Sequence, residues 1–396
     1  MNISKLLETA RRSMSMHQNA IGLTGKNISN VNTPGYSRLR AQIDFNGFSQ
    51  IGGLSEENVQ RIRQRFIDRQ FWTENQELGR QQTKNLMLTE MESILAEPTG
   101  SGLNNVMTEF WLAWDNLAND PTNEANRSAA INQGELLANT FNRISTQNRN
   151  MQDQINTEIG QTVSTINSLA SRISDLNGKI IAGESDLVDQ RDLLIDQISE
   201  FINIQAIESD DSSVTLSVGG MVLVSGNSSN ELSTSLEMQN DLPVISINWG
   251  NENNKANITS GSLRGMLDIH NGQIPEMIGK MNVLANSIVE NVNEIFQNAN
   301  QTNFFSTENS GASGIQVSQT VNLTGFDGTD AGEISSLQYD TNSVGNLSYF
   351  DYYNDTLSSL GSKIQDSQFS MDNQLLITDK LSLQRMSISG VSIDEE

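Results

Sequence analysis

A chain of 396 residues is long enough for two or three domains, each with its own core. Its formal charge of −24 repels nucleic acid and anionic lipid, and no Lys/Arg stripe offsets that acidity. With no cysteine, disulfides, thiolate metal sites and cysteine nucleophiles are excluded, and no apolar run approaches the ~20 residues of a membrane span. Apolar residues make up 36% of the chain, too few for one compact ball, so an elongated, surface-rich shape is expected.

Alternate steps of four and three through the first thirty residues give Ile3, Leu7, Ala10, Met14, His17, Ile21, Thr24, Ile28 and Val31. This is the 3.5-residue seam of a helix that packs against other helices. Polar or small neighbours (Ser4, Arg11, Arg12, Ser15, Gln18) rule out a signal peptide. No other part of the chain looks built to cover the seam, which points to assembly with copies or relatives of the same chain. Asn30-Val31-Asn32-Thr33-Pro34-Gly35-Tyr36 then stops the helix in a turn.

Strand character is expected from Leu39 to Phe45, and helical signal from about Glu56 through Val59, Ile62 and Phe66 to Leu95. Glu97–Gly102 breaks the chain before a short amphipathic helix with Leu103, Val106, Phe110, Trp114 and Leu117 on one stripe. Past the Asn119-Asp120-Pro121 turn, apolar spacing from Leu137 to Ile180 predicts a rod of ~65 Å. A stutter at Ile155 and Ile159 should unwind its supercoil locally. A short helix from Leu187 leads into apolar runs at 202–207, 214–218, 221–224 and 244–249, with Gly219-Gly220 as a hairpin signal. Helical spacing returns at Ile278, Met281, Ala285, Ile288, Val292 and Ile295. Residues 298–345 look like an ordered, polar, Gly-rich surface loop carrying brief strand segments such as Ile315 to Val317. A last helix from about Tyr349 to Met386 carries Leu357, Leu360, Ile364, Met371 and Leu375.

The expected fold is mainly α with a β-rich insert: an elongated antiparallel helical bundle, or coiled-coil rod, plus a small β domain. The expected division is 1–50 for the terminal helix and turn, 51–186 for the first part of the rod, 187–262 for a β-rich outer domain, and 263–396 for the second part of the rod.

Chemistry finds little purchase. His17 lies on the seam, and His270 reads as a surface turn residue; neither has a neighbour at metal spacing. Gly22–Lys26 lacks the spacing and the Ser/Thr of a phosphate loop. Asp327-Gly328-Thr329-Asp330 does not match a calcium loop. Asp189-Gln190-Arg191-Asp192 reads as a charged helical turn that pairs with a neighbouring helix. The expectation is no enzyme, no cofactor and no metal, with neither nucleic acid nor membrane as a partner.

The stretch Lys26–Arg38, with Asn27, Ser29, Asn30, Asn32, Pro34, Gly35 and Tyr36, closely resembles the amino-terminal signature of bacterial flagellar rod, hook and hook-associated proteins. Leu187–Leu194, Gly261–Leu267 and the closing Ser387–Glu396 are similar to the hook-associated proteins of the first type. The resemblance implies a structural adaptor between flagellar hook and filament, exported without a cleaved leader and extracellular. Its implied partners are copies of itself in a helical tube, the hook protein and the next junction protein. It also implies a carboxy-terminal helix beyond the Ser387–Val391 hinge, outside this sequence, which carries much of the contact with an export chaperone. The alternative is a surface adhesin, or other extracellular binding module, using the β-rich insert.

Overall fold

The computed structural model describes residues 3–41, 59–95, 102–239, 242–250, 254–300 and 302–393. The proposed boundary at residue 50, the helical start at Glu56, most of the break at 97–102 and the last three residues lie outside them.

The helical frame has four long members. They are α2 (Arg65–Leu95), α4 (Glu124–Ile181), α7 (Ile274–Asn300) and α9 (Tyr349–Ser389). Between them come α3 (Leu103–Asn119), α5 (Val188–Phe201), α6 (Ser262–Asp268) and α8 (Gly328–Ser336), with α1 (Ile3–Ser29) at the amino terminus. At 1.5 Å per residue the 58 residues of α4 span about 87 Å, longer than the expected rod. The excess is at its start, where Asn123 caps the helix by accepting from the Ala125 amide at 2.9 Å, well before the first seam leucine. The seam is otherwise as expected, with Leu137, Phe141, Ile144, Asn148, Met151, Ile155 and Ile159 all buried across the stutter.

α2 and α9 run antiparallel. The Gln374 amide donates to the Glu74 carbonyl at 2.9 Å, Asn85 pairs with the Ile364 carbonyl, and Arg385 reaches Asp68 at 3.0 Å. Here α9 departs from the expected seam: beyond Ile364 its buried positions are Ser367, Gln374, Thr378 and Leu381, and Leu375 is exposed. Ridge packing against α2 selects this line whatever its polarity.

Strands β3 (Gln205–Glu208), β4 (Val214–Val218), β5 (Met221–Ser225) and β6 (Ser228–Ser229) form one antiparallel sheet, and β7 (Leu232–Gln239) pairs with β8 (Leu242–Trp249). The Gly219-Gly220 turn joins β4 to β5 as its sequence predicts. Both sheets lie on the C-terminal part of α4: Asn177 bonds the Val214 backbone in both directions, and Asn167 does the same for Leu232. The register is therefore fixed by two helix asparagines that complete unpaired strand groups.

Three further expectations are corrected. Val59–Arg61 is a strand, β2, paired with β1 (Leu39–Ala41), and the helix begins only at Arg65. Residues 298–345 are no mere surface loop. They bury Phe304, Phe305, Ile315, Leu323 and Phe326 in an aromatic core with Phe110, Trp111, Trp114, Phe296 and Tyr349. Trp114 meets Phe304 edge-on at 5.1 Å, and Trp111 stacks on Tyr349 at 5.5 Å. His270 is only 1% exposed, in a π-helical turn (Ile269–Gln273) between α6 and α7. Its Nδ1 faces Asn271 at 2.8 Å and its carbonyl accepts from Gln152, while burial lowers its pKa.

Candidate assembly interface and its anchor

Among the described residues little covers the seam of α1. Ile3, Leu7, Met14 and Ile21 are each at least 65% exposed, Ala10 and His17 are exposed, and Ile28 is 42% exposed. Only Thr24 and Val31, near the carboxy end, are half-buried. The main contact of α1 within the chain is with β1. Exposed apolar side chains at a/d spacing are unfavourable in water, each contributing roughly 1.5–3 kcal/mol if covered. A helix of this kind that is not Ala-rich gains most of its stability from such cover.

Just past the seam, the residues that carry the family signature build a tight corner. Asn27 is buried; its side-chain oxygen accepts from the Leu39 amide (3.0 Å) and the Tyr36 hydroxyl (2.9 Å), and its amide donates to the Leu39 carbonyl (2.9 Å). It thus acts as a strand partner to β1 from within a helix. Ser29 and Asn30 bond back to the Gly25 and Lys26 carbonyls, and Thr33 to Asn30. Asn32 and Pro34 sit at the exposed edge of the turn. Gly35 has φ +79°, and a Cβ there would lie 3.2 Å from Leu193 on α5; both geometry and space ask for glycine.

The corner is fastened to the rod by a cluster of four arginines and four aspartates. Asp189, Asp192 and Asp196 recur at i, i+3 and i+7 on one face of α5. Asp189 accepts from the Ser37 amide (3.1 Å) and pairs with Arg61 at the end of β2. Asp192 takes Arg61 (3.1 Å), Arg63 (2.8 Å) and Arg191 (2.8 Å). Arg63 also holds Asp68 in the first turn of α2 at 2.7 Å. From the far end of α9, Arg385 reaches Asp68 (3.0 Å) and Asp196 (2.9 Å) and lies over the Phe71 ring at 4.4 Å. Trp72 donates to Asp196 at 2.6 Å. Arg191 also bonds the Ser212 carbonyl in the turn between β3 and β4. Finally the Arg38 amide donates to the Ser389 carbonyl at 2.8 Å, so the corner after α1 meets the carboxy end of α9 at the cluster.

Asp189 and Asp192 do form ion pairs, but with Arg61 of β2, Arg63 just beyond it and Arg191 of the same helix, not with the neighbouring helix that was expected. Arg61 and Arg63 stand within a stretch expected to be helical, and Arg385 lies near the end of the chain. An extended β2 is what aims both arginines at α5.

Burial pushes the Asp192 carboxyl up, but Arg63, then Arg191 and Arg61, outweigh it and hold the group below its ordinary 3.8. For Asp196 burial wins over Arg385 and Arg63, and its pKa is raised. The signs differ in consequence. The stabilising contribution of Asp192 is complete above its ordinary pKa and is lost as pH falls through the depressed folded value; the raised Asp196 costs stability at neutral pH, and that cost is relieved on acidification. Thermal melting of the subunit should therefore rise as pH falls through the raised Asp196 value toward its ordinary 3.8, and fall below that as Asp192 takes up its proton. In Asp192→Asn the neutral-pH melting point should drop and the fall below pH 4 should flatten.

Gly261 and Gly265 of the second motif set the packing of α6. Gly261 has φ +86°, and a Cβ would lie 2.4 Å from the Phe201 carbonyl group. At Gly265 it would meet the Arg80 carbonyl oxygen at 2.8 Å.

Comparison with known proteins agrees with this anatomy. The family model described as "Flagellar hook-associated protein FlgK helical domain" matches residues 88–308, more than half of the chain. The chain belongs to this family. Flagellar hook-associated protein 1 of Bacillus subtilis (strain 168) is 29% identical over 98% of this chain and 91% of its own length. The protein of the same name from Salmonella typhimurium is 28% identical over 58% of this chain, a match that spans 44% of the relative. The solved structure of the flagellar hook junction protein FlgK from Burkholderia pseudomallei shares the fold (TM-score 0.53, 22% identity), covering 57% of this chain and 43% of that one. Family membership gives the chain a structural role in the bacterial flagellum, at the junction of hook and filament. No helix among the described residues is long and apolar enough to cross a membrane.

Proposed function

We propose that the chain works by coupled ordering and assembly: the α1 seam from Ile3 to Val31 is covered by neighbouring protomers in a helical tube. The observation that carries this reading is the exposure of Ile3, Leu7, Met14 and Ile21 on a helix whose period is that of a packed seam. Head-to-tail copies related by a rotation that does not close give a helix rather than a dimer. In this reading residues 1–50 form the tube, 51–186 and 263–396 the rod, and 187–262 project outward. The hook protein abuts one end of the assembly and the next junction protein the other, after export without a cleaved leader. The Asp–Arg cluster transmits load, because Asp189 and Arg61 hold the amino-terminal corner on the same α5 that Arg385 ties to α9.

Deleting residues 3–21, which removes the exposed part of the seam and leaves the Asn27 corner in place, tests this directly. The truncated subunit should keep the melting point of its rod, since α1 packs against little of it, and cells carrying it should shed or lack filaments. Normal filament attachment by the truncated subunit would reject the reading.

A further inference from the structure

One stretch of the β7–β8 hairpin has an open edge. In its register Leu232 faces Trp249, Thr234 faces Ile247 and Leu236 faces Ile245. On β8 these residues turn their backbone groups away from β7. The Asn254 carbonyl accepts from the Trp249 amide, Ala256 donates to the Ile247 carbonyl, and Asn271 bonds Ile245 in both directions. In an antiparallel ladder both members of such a pair point their amide and carbonyl outward. On β7 the outward groups of Leu232 are taken by Asn167 at 2.8 and 2.9 Å. Those of Thr234, Leu236 and Met238 meet no partner among the described residues. The edge stands in water there, with Leu236 54% and Met238 66% exposed. Bare edges are commonly blunted by a lysine, a proline or a bulge; Leu232–Gln239 has none of these, and its pairing with β8 runs without a break.

We infer that this edge is a strand-addition site: an extended segment of a different protein, apolar and basic at alternate positions, pairs with Thr234, Leu236 and Met238. Free amides and carbonyls at alternate residues match an extended backbone, because a helix spends its own groups internally. The side chains of β7 then fix the chemistry of the added strand. Thr234, Leu236 and Met238 share the face that continues from the buried Leu232, so apolar groups belong there. Ser233, Ser235 and Glu237 share the other face. Glu237 is half-exposed and meets Lys255 at the limit of an ion pair, 4.0 Å, which leaves room for a basic side chain opposite it. The same charge argues against a second copy. Two β7 edges paired about Leu236 would set both Glu237 side chains diagonally on one face of the joined sheet, between chains that each carry −24.

The test reads residue-resolved amide exchange of the full chain with the peptide Thr-Lys-Val-Lys-Val-Lys-Thr, and with its acidic counterpart Thr-Glu-Val-Glu-Val-Glu-Thr. At millimolar concentration the basic peptide should slow the amides of Thr234, Leu236 and Met238 about tenfold, and the acidic one should not. Leu236→Pro removes an outward donor and no bond to β8, so this variant should keep its melting point and lose the protection. Glu237→Lys, on a half-exposed side chain, should exchange the roles of the two peptides, and it decides the matter if the proline variant fails to fold. Unchanged exchange with the basic peptide, an equal response to both peptides, or full protection in a folded Leu236→Pro overturns the inference. So does protection that appears on concentrating the protein alone, which would place a second copy on the edge.

Discussion

Replacing Leu7 and Ile21 together by aspartate will abolish incorporation of the subunit into flagella while leaving its own melting point unchanged. Both side chains are largely in water already, so the folded subunit gives up almost nothing, within about 0.5 kcal/mol. In the assembly each loses the burial of a large aliphatic group, about 3–6 kcal/mol per protomer for the pair. That alone is roughly two to four decades in the association constant. Desolvating two carboxylates in a helical seam adds to the loss. The readout is the fraction of variant subunit in sheared flagella against that in the medium, alongside calorimetry of the purified protein. A melting point lowered by several degrees would mean the seam is packed within the subunit and would remove the basis for assembly through it.

The second large effect is on stability. Arg63→Met should cost about 3–5 kcal/mol, the range for removing one member of a buried ion cluster. Arg63 is held by Asp68 and Asp192, which are themselves almost fully buried. Without it Asp192 keeps Arg61 and Arg191, and Asp68 keeps Arg385, but each carboxylate has lost its shortest or next-shortest partner. At roughly 2–4 °C per kcal/mol for a domain of this size, the melting point should fall by about 6–20 °C. Arg65→Met is the matched control. Arg65 also pairs with a carboxylate, Glu208 at 2.7 Å, but its side chain is largely in water. Its loss should cost no more than about 1 kcal/mol. Equal effects of the two substitutions would mean that the cluster does not fasten the corner.

Periodic helices were the legible part of this chain. The seam of α1, the buried stripe of α4 and the Trp111/Trp114 stripe of α3 follow from spacing, because long apolar repeats admit one secondary structure. Glycine pairs and Asn-Pro-Gly turns also signal locally, as at Gly219-Gly220 and Asn30–Gly35. What sequence did not disclose depends on partners distant in the chain. β7 reads Leu-Ser-Thr-Ser-Leu-Glu-Met-Gln, too polar to announce a strand, and is held by pairing along its whole length with β8. Phe304 and Phe305 stand in a polar stretch and become core only because Asn293 bonds the Phe305 backbone in both directions. His270 looked like a turn residue beside Asn-Gly, but that asparagine bonds the Ile245 backbone and draws the turn inward.

The anchoring cluster shows the same limit in the candidate site. The aspartates of α5 were visible as a charged helical turn, and the signature around Asn27 was visible as a motif. Their union was not, because Arg61 and Asp189 are separated by 128 residues, and Arg385 and Asp196 by 189. The seam could be read; the fastening behind it required the fold.

Amide hydrogen exchange of α1, compared between dilute free subunits and assembled flagella, tests the account most directly. The prediction is that residues 3–26 exchange at close to the rate of an unstructured peptide in the free subunit, beside well-protected amides in α4, and become slow on assembly. Slow exchange of α1 in the dilute subunit, matching that of α4, would contradict it.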